Sequence, residues 1–305
     1  MSALAVVLLN PQAGSGRARA LRQPMQRWLL RHAPGVPLLA PDSAEAARAM
    51  LMVMAPRTRV VLVGGDGTLH NMLPAVLRCG HRVGLIAGGR SNELAGALGL
   101  AALRWEDALR YALHAPVQPI DVGQIDADNQ AFLFSTRLSV GHDAQLDQHS
   151  QRAPGWLGQG RWPERWASLR ASLHSSPFEL RLWINGRLQH DAMAMGVVLS
   201  NTPDRRHRLP TSLVDACLET RVRATTGRHA VLWARSGPLA LGPSDGLDDA
   251  HLPLHWSGAT KILIDAGRAL PLLADGEQLP NAARFSVRCL PRALYVAGQV
   301  DVSAG

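Results

Sequence analysis

The chain has 305 residues, 47% of them hydrophobic, and a formal net charge of +8. No apolar run reaches the roughly 20 residues that span a bilayer as a helix. Cys79, Cys217 and Cys289 are too scattered for a disulfide framework or a zinc motif, which points to a reducing cytoplasm. The positive balance favours acidic partners. Nucleic acid is set aside, because zinc-finger spacing and an aromatic RNA-binding signature are both absent. Lys261 is the only lysine, a compositional bias that gives arginine identity little functional weight.

In chain order, the first 125 residues alternate strand and helix patterns. The N-terminal stretch "ALAVVLLN" lacks the basic region and cleavage site of a signal peptide and reads as a first strand. "VPLLA", "RVVLVGG", "RVGLIAG" and "PIDVGQI" follow as short continuous apolar runs, the pattern of a parallel sheet covered on both faces. Between them, Leu21, Met25, Trp28 and Leu29 recur at helical spacing, as do Ala46, Met50 and Met54, with Ser43 or Asp42 as an N-cap. This predicts a doubly wound, mostly parallel α/β domain over residues 1–120.

Beyond residue 120, strand-like runs follow one another: "AFLFSTRLS", "FELRLWING", "MAMGVVLSN", "ETRVRATT", "TKILIDAG", "LPLLADGE", "RFSVRCL" and "ALYVAG". Asn185–Gly186 signals a hairpin. A mostly antiparallel β-sandwich is expected over residues 121–289, with residues 290–305 packing back on the first domain. One helix, Pro163 to His174, interrupts the strands. Its Trp162, Trp166, Leu169 and Leu173 share a face among arginines, which suits either a covering helix or a membrane contact. His142, His190 and His207 show no metal-ligand spacing.

Three glycine-bearing turns follow strands of the first domain. In "LLNPQAGSGRARAL", Asn10–Pro11 turns the chain, and Gly14, Ser15 and Gly16 lead into a helix. Such a turn cradles phosphate at a helix N-terminus, or is simply a tight connection. It is not a Walker A loop, because the Gly-Lys-Ser/Thr ending is absent. In "VVLVGGDGTLHNML", Asp66 stands among Gly64, Gly65 and Gly67, with Thr68 expected to cap the next helix. Glycines admit backbone amides to phosphate oxygens, and the carboxylate can hold Mg²⁺ through water or accept a hydroxyl proton. The blander reading is that Asp66 only caps its own helix. In "IAGGRSNELAGALGL", a third strand ends in glycines, and Asn92 and Glu93 open a helix. On successive strands, the three turns converge on one face.

"NPQAGSG", "GGDGT" and "GGRSNELAGALGL" resemble the N-terminal signatures of the diacylglycerol kinase catalytic-domain family, which includes sphingosine kinases and YegS-type bacterial lipid kinases. "PIDVGQID", "VGHDAQL", "LPTSLVDACLETRV" and "LPLLADGEQLP" resemble its later segments, so the likeness runs in order along nearly the whole chain. It implies an NAD kinase-like nucleotide domain, a lipid-binding β domain, and ATP- and Mg²⁺-dependent phosphorylation of a lipid hydroxyl. The lipid, diacylglycerol-like or sphingoid-like, would be taken from a membrane surface. Location would be cytoplasmic, with peripheral contact at the inner membrane face, and a homodimer is allowed for. By position, Glu277 matches the catalytic glutamate, with Asp66 the competing base. Asn10, Gly14, Gly16, Gly64, Gly65, Gly67, Thr68, Arg90 and Asn92 fall to the nucleotide, and Asp215 to a Mg²⁺ site.

The chain departs from the family where Arg90 replaces a hydroxyl, where Ala216 follows Asp215 in place of glycine, and where "TPDRRHRLP" replaces a glycine-rich stretch after Asn201. The rival expectations are an NAD kinase-like enzyme and an inactive nucleotide- or lipid-binding regulator.

Overall fold

The computed structural model describes residues 4–151, 176–202, 212–224 and 254–298. In the first half, β1 (Ala5–Leu9), β2 (Leu38–Leu39), β3 (Arg59–Gly64) and β4 (Arg82–Ala87) form a parallel sheet in the order β4-β3-β1-β2. Successive side chains of a strand leave on opposite faces. Val6, Leu8, Val60 and Leu62 therefore enter one apolar cluster, and Val7, Leu9, Val61 and Val63 the other. Helices α1 (Arg22–His32) and α5 (Trp105–His114) cover the second face through Met25, Leu29, Ala108 and Leu109. Helices α2 (Ala44–Val53), α3 (Asp66–Cys79) and α4 (Glu93–Ala97) cover the first through Leu51, Leu69, Leu73 and Leu94.

Several local expectations are corrected. Helix α2 buries Ala47 and Leu51, one residue beyond the expected stripe, and leaves Met50 exposed. Its N-cap is Ser43, whose Oγ accepts the Ala46 N–H at 3.1 Å. Helix α3 begins at Asp66 with Gly65 as N-cap, so Thr68 lies inside the first turn and does not cap it. Strand β5 (Val117–Ala127) does not join the parallel sheet. It runs antiparallel to β6 (Gln130–Phe134) and β13 (Glu277–Ala297). The reason is that β5 spans two cores: Ile120 and Val122 pack in the first half, Ile125 and Ala127 in the second.

The second half is antiparallel. Strands β7 (Arg137–Gly141) and β8 (Phe178–Ile184) both lie between β9 (Arg187–Ser200) and β12 (Lys261–Ala274), and β10 (Leu218–Ala224) and β11 (Leu254–Ala259) extend the sheet beyond β9. Asn185 and Gly186 both have positive φ, the type I′ geometry read from the sequence. Helix α6 (His142–Gln151) had no periodic apolar signal. The helix expected from Pro163 to His174 lies outside the described residues, as does His207.

Strand β13 joins the halves. The runs "RFSVRCL" and "ALYVAG" are one strand with a register shift between Leu290 and Leu294. Its first part pairs with β12, and Tyr295 and Val296 pair in parallel with Arg82 and Val83 of β4. One 13-stranded sheet results. The N-terminal half is α/β and the C-terminal half strand-rich.

Candidate active site

The three glycine turns pack on one another, and that accounts for much of their glycine content. Gly14 has φ 61°, and a Cβ there would overlap the Gly88 carbonyl oxygen. The Gly88 N–H donates to the Gly64 carbonyl at 2.8 Å. A Cβ on Gly65 would stand 2.8 Å from the Gly89 Cα, backbone against backbone. One on Gly64 would overlap Thr68, and one on Gly67 the Glu277 carboxylate. Side chains complete the packing. Asn10 Nδ2 donates to Thr68 Oγ1 at 2.9 Å, while Asn10 Oδ1 accepts the Gln12 N–H at 3.0 Å. Asn92, at φ 51°, closes its own turn by accepting the Gly89 N–H at 2.8 Å and donating to the Gly89 carbonyl at 3.0 Å.

Asp66 does cap a helix, but a neighbouring one. Its oxygens accept the N–H groups of Glu93 at 2.9 Å and Leu94 at 3.2 Å, at the start of α4. Burial pushes the Asp66 carboxyl up, and those two N–H groups only partly offset it. Glu93, the first residue of α4, is also pushed up by burial, against an ion pair at 2.9 Å with Arg137 of β7. Arg137 also reaches Asp147 of α6 at 3.3 Å, so this ionic chain crosses from the first half to the second.

Glu277 arrives from the second half. Asp275 and Gly276, at φ 50° and 86°, form a type I′ turn between β12 and β13, with Ala274 paired to Glu277. Sequence patterns alone assign Asp275 no role. It is buried, and its oxygens accept the N–H and Oγ–H of Ser135 (2.7 and 3.1 Å), the same groups of Thr136 (2.8 and 2.6 Å), and the Arg137 N–H at 3.2 Å. His70 Nδ1 of α3 stands 3.5 Å from Asp275 Oδ2. Burial would raise the Asp275 carboxyl, but His70, Thr136 and Ser135 together hold it below its usual value.

These elements surround a cleft of about 610 Å³. Asn10, Gly65, Asp66, Gly67, Thr68, Arg90 and Glu277 line it, together with Ser43, Asn71 and Asp275. Gly14, Gly16, Gly64 and Asn92 do not; their place is in and behind the turns. Asp215 lies elsewhere and is exposed. Its Oδ1 accepts the Cys217 N–H at 3.0 Å. The neighbouring buried Asp121 spends its two oxygens on the N–H groups of Ala216 (2.6 Å) and Arg292 (2.8 Å). Among the described residues, no three His, Cys, Asp or Glu side chains are grouped to hold a metal. Among the described residues, Asp215 thus has no set of three ligands around it. The cleft has Asp42, Asp66, Asp275 and Glu277 in its lining and room for phosphates, so it fits the few-ligand mode in which Mg²⁺ is held by one or two carboxylates and the phosphates of a nucleotide.

Residues 4–125 match the family model of the diacylglycerol kinase catalytic domain. A diacylglycerol kinase of Mycobacterium tuberculosis is 27% identical over 178 residues, 57% of this chain and 58% of that protein. The match thus spans somewhat over half the length of that curated relative. The crystal structure of a diacylglycerol kinase from Bacillus anthracis superposes with a TM-score of 0.70 at 17% identity, over 97% of both chains. An NAD kinase from Archaeoglobus fulgidus in complex with ATP superposes at 0.54 and 12% identity, over 96% of this chain and 93% of that one. At these identities the superpositions establish the fold. No helix among the described residues is long and apolar enough to cross a membrane.

Proposed function

From the match of residues 4–125 to the diacylglycerol kinase catalytic-domain model, we propose that the protein is a lipid kinase that transfers the γ-phosphate of Mg·ATP to a lipid hydroxyl. The observation that carries this reading is the meeting of Glu277, from the strand-rich half, with the glycine turn of Gly65–Thr68 across one cleft. Phosphoryl transfer needs little covalent help from a protein; it needs positioning and charge stabilisation. The turn and the N-terminus of α3 supply N–H groups for phosphate oxygens. Arg90, exposed on the cleft wall, supplies a cation for them. A Mg²⁺ ion held by a cleft carboxylate and the nucleotide would supply neutralising charge at the phosphates.

Glu277 is the better base for the lipid hydroxyl. It is exposed at the cleft, and among the described residues nothing hydrogen-bonds its carboxylate. Asp66 is occupied at both oxygens in holding α4. The lipid then approaches from the strand-rich half, collected from a membrane surface.

The test is incubation with labelled ATP, Mg²⁺ and a total lipid extract, with NAD as a parallel acceptor. A labelled lipid supports the proposal, and label on NAD supports the NAD kinase-like alternative. ATP binding without any product leaves a nucleotide-binding regulator. A base contributes roughly 10²–10⁴-fold to rate. Glu277→Gln is expected to lower kcat by that factor with Mg·ATP affinity kept, and near-normal turnover by this variant would transfer the role to Asp66.

A further inference from the structure

We propose that Asp275 is a positioning residue for this reaction, setting Glu277 over the glycine turn by locking the β12–β13 turn to its surroundings. The inference rests on the kinase reading above. It begins from the fact that, among the described residues, nothing holds the Glu277 carboxylate directly. Its location is therefore decided by the backbone of its own turn, two residues long, in which both central residues have positive φ. A turn of that kind on a rim is ordinarily a soft place.

Here it is not soft. Asp275 gathers five donors from Ser135, Thr136 and Arg137, all in the connection between β6 and β7 and the first residue of β7. Its own N–H donates to the Arg137 carbonyl at 2.9 Å. That connection is backed in turn by Asn201, whose Nδ2 donates to the Ser135 carbonyl at 2.9 Å and whose N–H donates to the Thr136 carbonyl at 2.7 Å. On the other side, His70 of α3, the helix whose first residues are Asp66 and Gly67, stands with its Nδ1 3.5 Å from Asp275 Oδ2. Three elements thus meet at one buried carboxylate, and one of them carries the glycines that Glu277 faces. A tie of this strength fixes the separation between Glu277 and Gly67 while leaving the Glu277 carboxylate free to take a proton. A misplacement of about 1 Å in a reacting group costs on the order of 10²-fold in rate.

The test is a double-mutant cycle on kcat with the lipid extract, joined to a crystal structure. Asp275→Asn in the wild-type background is expected to lower kcat by roughly 10²-fold while KM for ATP stays within about twofold. In a Glu277→Gln background the same substitution should cost less than about threefold, because the group it positions has already lost its role. Equal losses in both backgrounds, or full turnover by Asp275→Asn, would overturn the proposal, since a merely structural residue costs the same in each. If Asp275→Asn does not fold, Thr136→Val and Ser135→Ala each remove one hydroxyl donor and carry the same cycle with smaller losses. The crystal structure of the variant decides without turnover. Glu277 should move from Gly67 by about 1 Å or more, and an unmoved Glu277 refutes the positioning role. Absence of any lipid product from the wild type would instead reject the kinase reading, leaving the crystallographic arm to decide on Asp275.

Discussion

Two carboxylates, Asp66 half-buried and Asp275 buried, face the same cleft and are held in opposite ways. Asp66, from the α/β half, accepts two backbone N–H groups, and burial leaves its carboxyl pushed up. Asp275, from the strand-rich half, accepts five donors with His70 beside it, and its carboxyl is held down despite fuller burial. Burial is the largest influence on each. The sign of the result is set by what faces the charged form: His70 and then the donors of Thr136 and Ser135 at Asp275, against two N–H groups and the Asp275 charge at Asp66. The α/β half uses its acid as an adjustable cap; the strand-rich half uses its acid as a fixed knot.

The strongest way to break this comparison is to delete each carboxylate. Asp275→Ala strands the buried donors of Ser135 and Thr136, each costing about 1–3 kcal/mol, so a total of about 3 kcal/mol or more is expected in urea unfolding. Asp66→Ala removes a helix cap and should cost about 1–2 kcal/mol. Equal costs would erase the distinction.

The glycines extend it. Gly65→Ala sets a Cβ against the Gly89 backbone, which cannot swing aside, and should cost about 1–3 kcal/mol of stability. Loss of nucleotide binding in a Gly65 variant therefore cannot be assigned to phosphate contact alone. Gly67→Ala meets only the end of the Glu277 side chain, which can turn away. It should melt within a few degrees of the wild type yet lose turnover. A strongly destabilised Gly67→Ala, or a fully active one, would contradict the placement of Glu277 over that turn.

Acid titration sharpens the contrast without deleting any side-chain volume. Asp275, whose folded value is lowered, contributes stability that is present above its ordinary value of 3.8 and is lost as pH falls through the folded value. The deficit of Asp275→Asn relative to wild type should therefore shrink on acidification below about pH 3.9. Asp66, whose folded value is raised, contributes stability that is present below 3.8 and lost as pH rises through the folded value. The deficit of Asp66→Asn should shrink in the other direction, as pH rises above about 3.9. Parallel pH profiles for the two variants would refute the opposed assignment. The smallest effect is expected at Asn10, where Asn10→Ala removes one hydrogen bond to Thr68 and should cost about 1 kcal/mol by thermal melting.

Much of this was legible in the residues. The four parallel strands of the first sheet were written as unbroken apolar runs, because a strand buried on both faces has no polar side. Ser43 announced α2, and Asn185–Gly186 announced its hairpin, because capping and I′ turns depend on one or two residues. Asp275–Gly276 carries the same hairpin signal, and both residues have positive φ. Helix α6 left no such trace, since His142–Gln151 has almost no apolar periodicity. Strand β5 read like its parallel predecessors because an apolar run does not say which neighbour it will pair with.

The sequence by itself determined that glycine turns would end buried strands, that Asp66 would stand among them, and that Glu277 would follow a tight Asp-Gly turn. These are local facts, set by backbone sterics and by which residues tolerate positive φ. Only the tertiary structure decided what those residues touch. It turned Asp66 to a neighbouring helix, filled the space above Gly65 with Gly89, and laid Glu277 over Gly67. It also carried β13 from the strand-rich half into register with β4. Each of these joins residues far apart in sequence, and such pairings depend on how whole elements pack, which no short stretch of residues encodes.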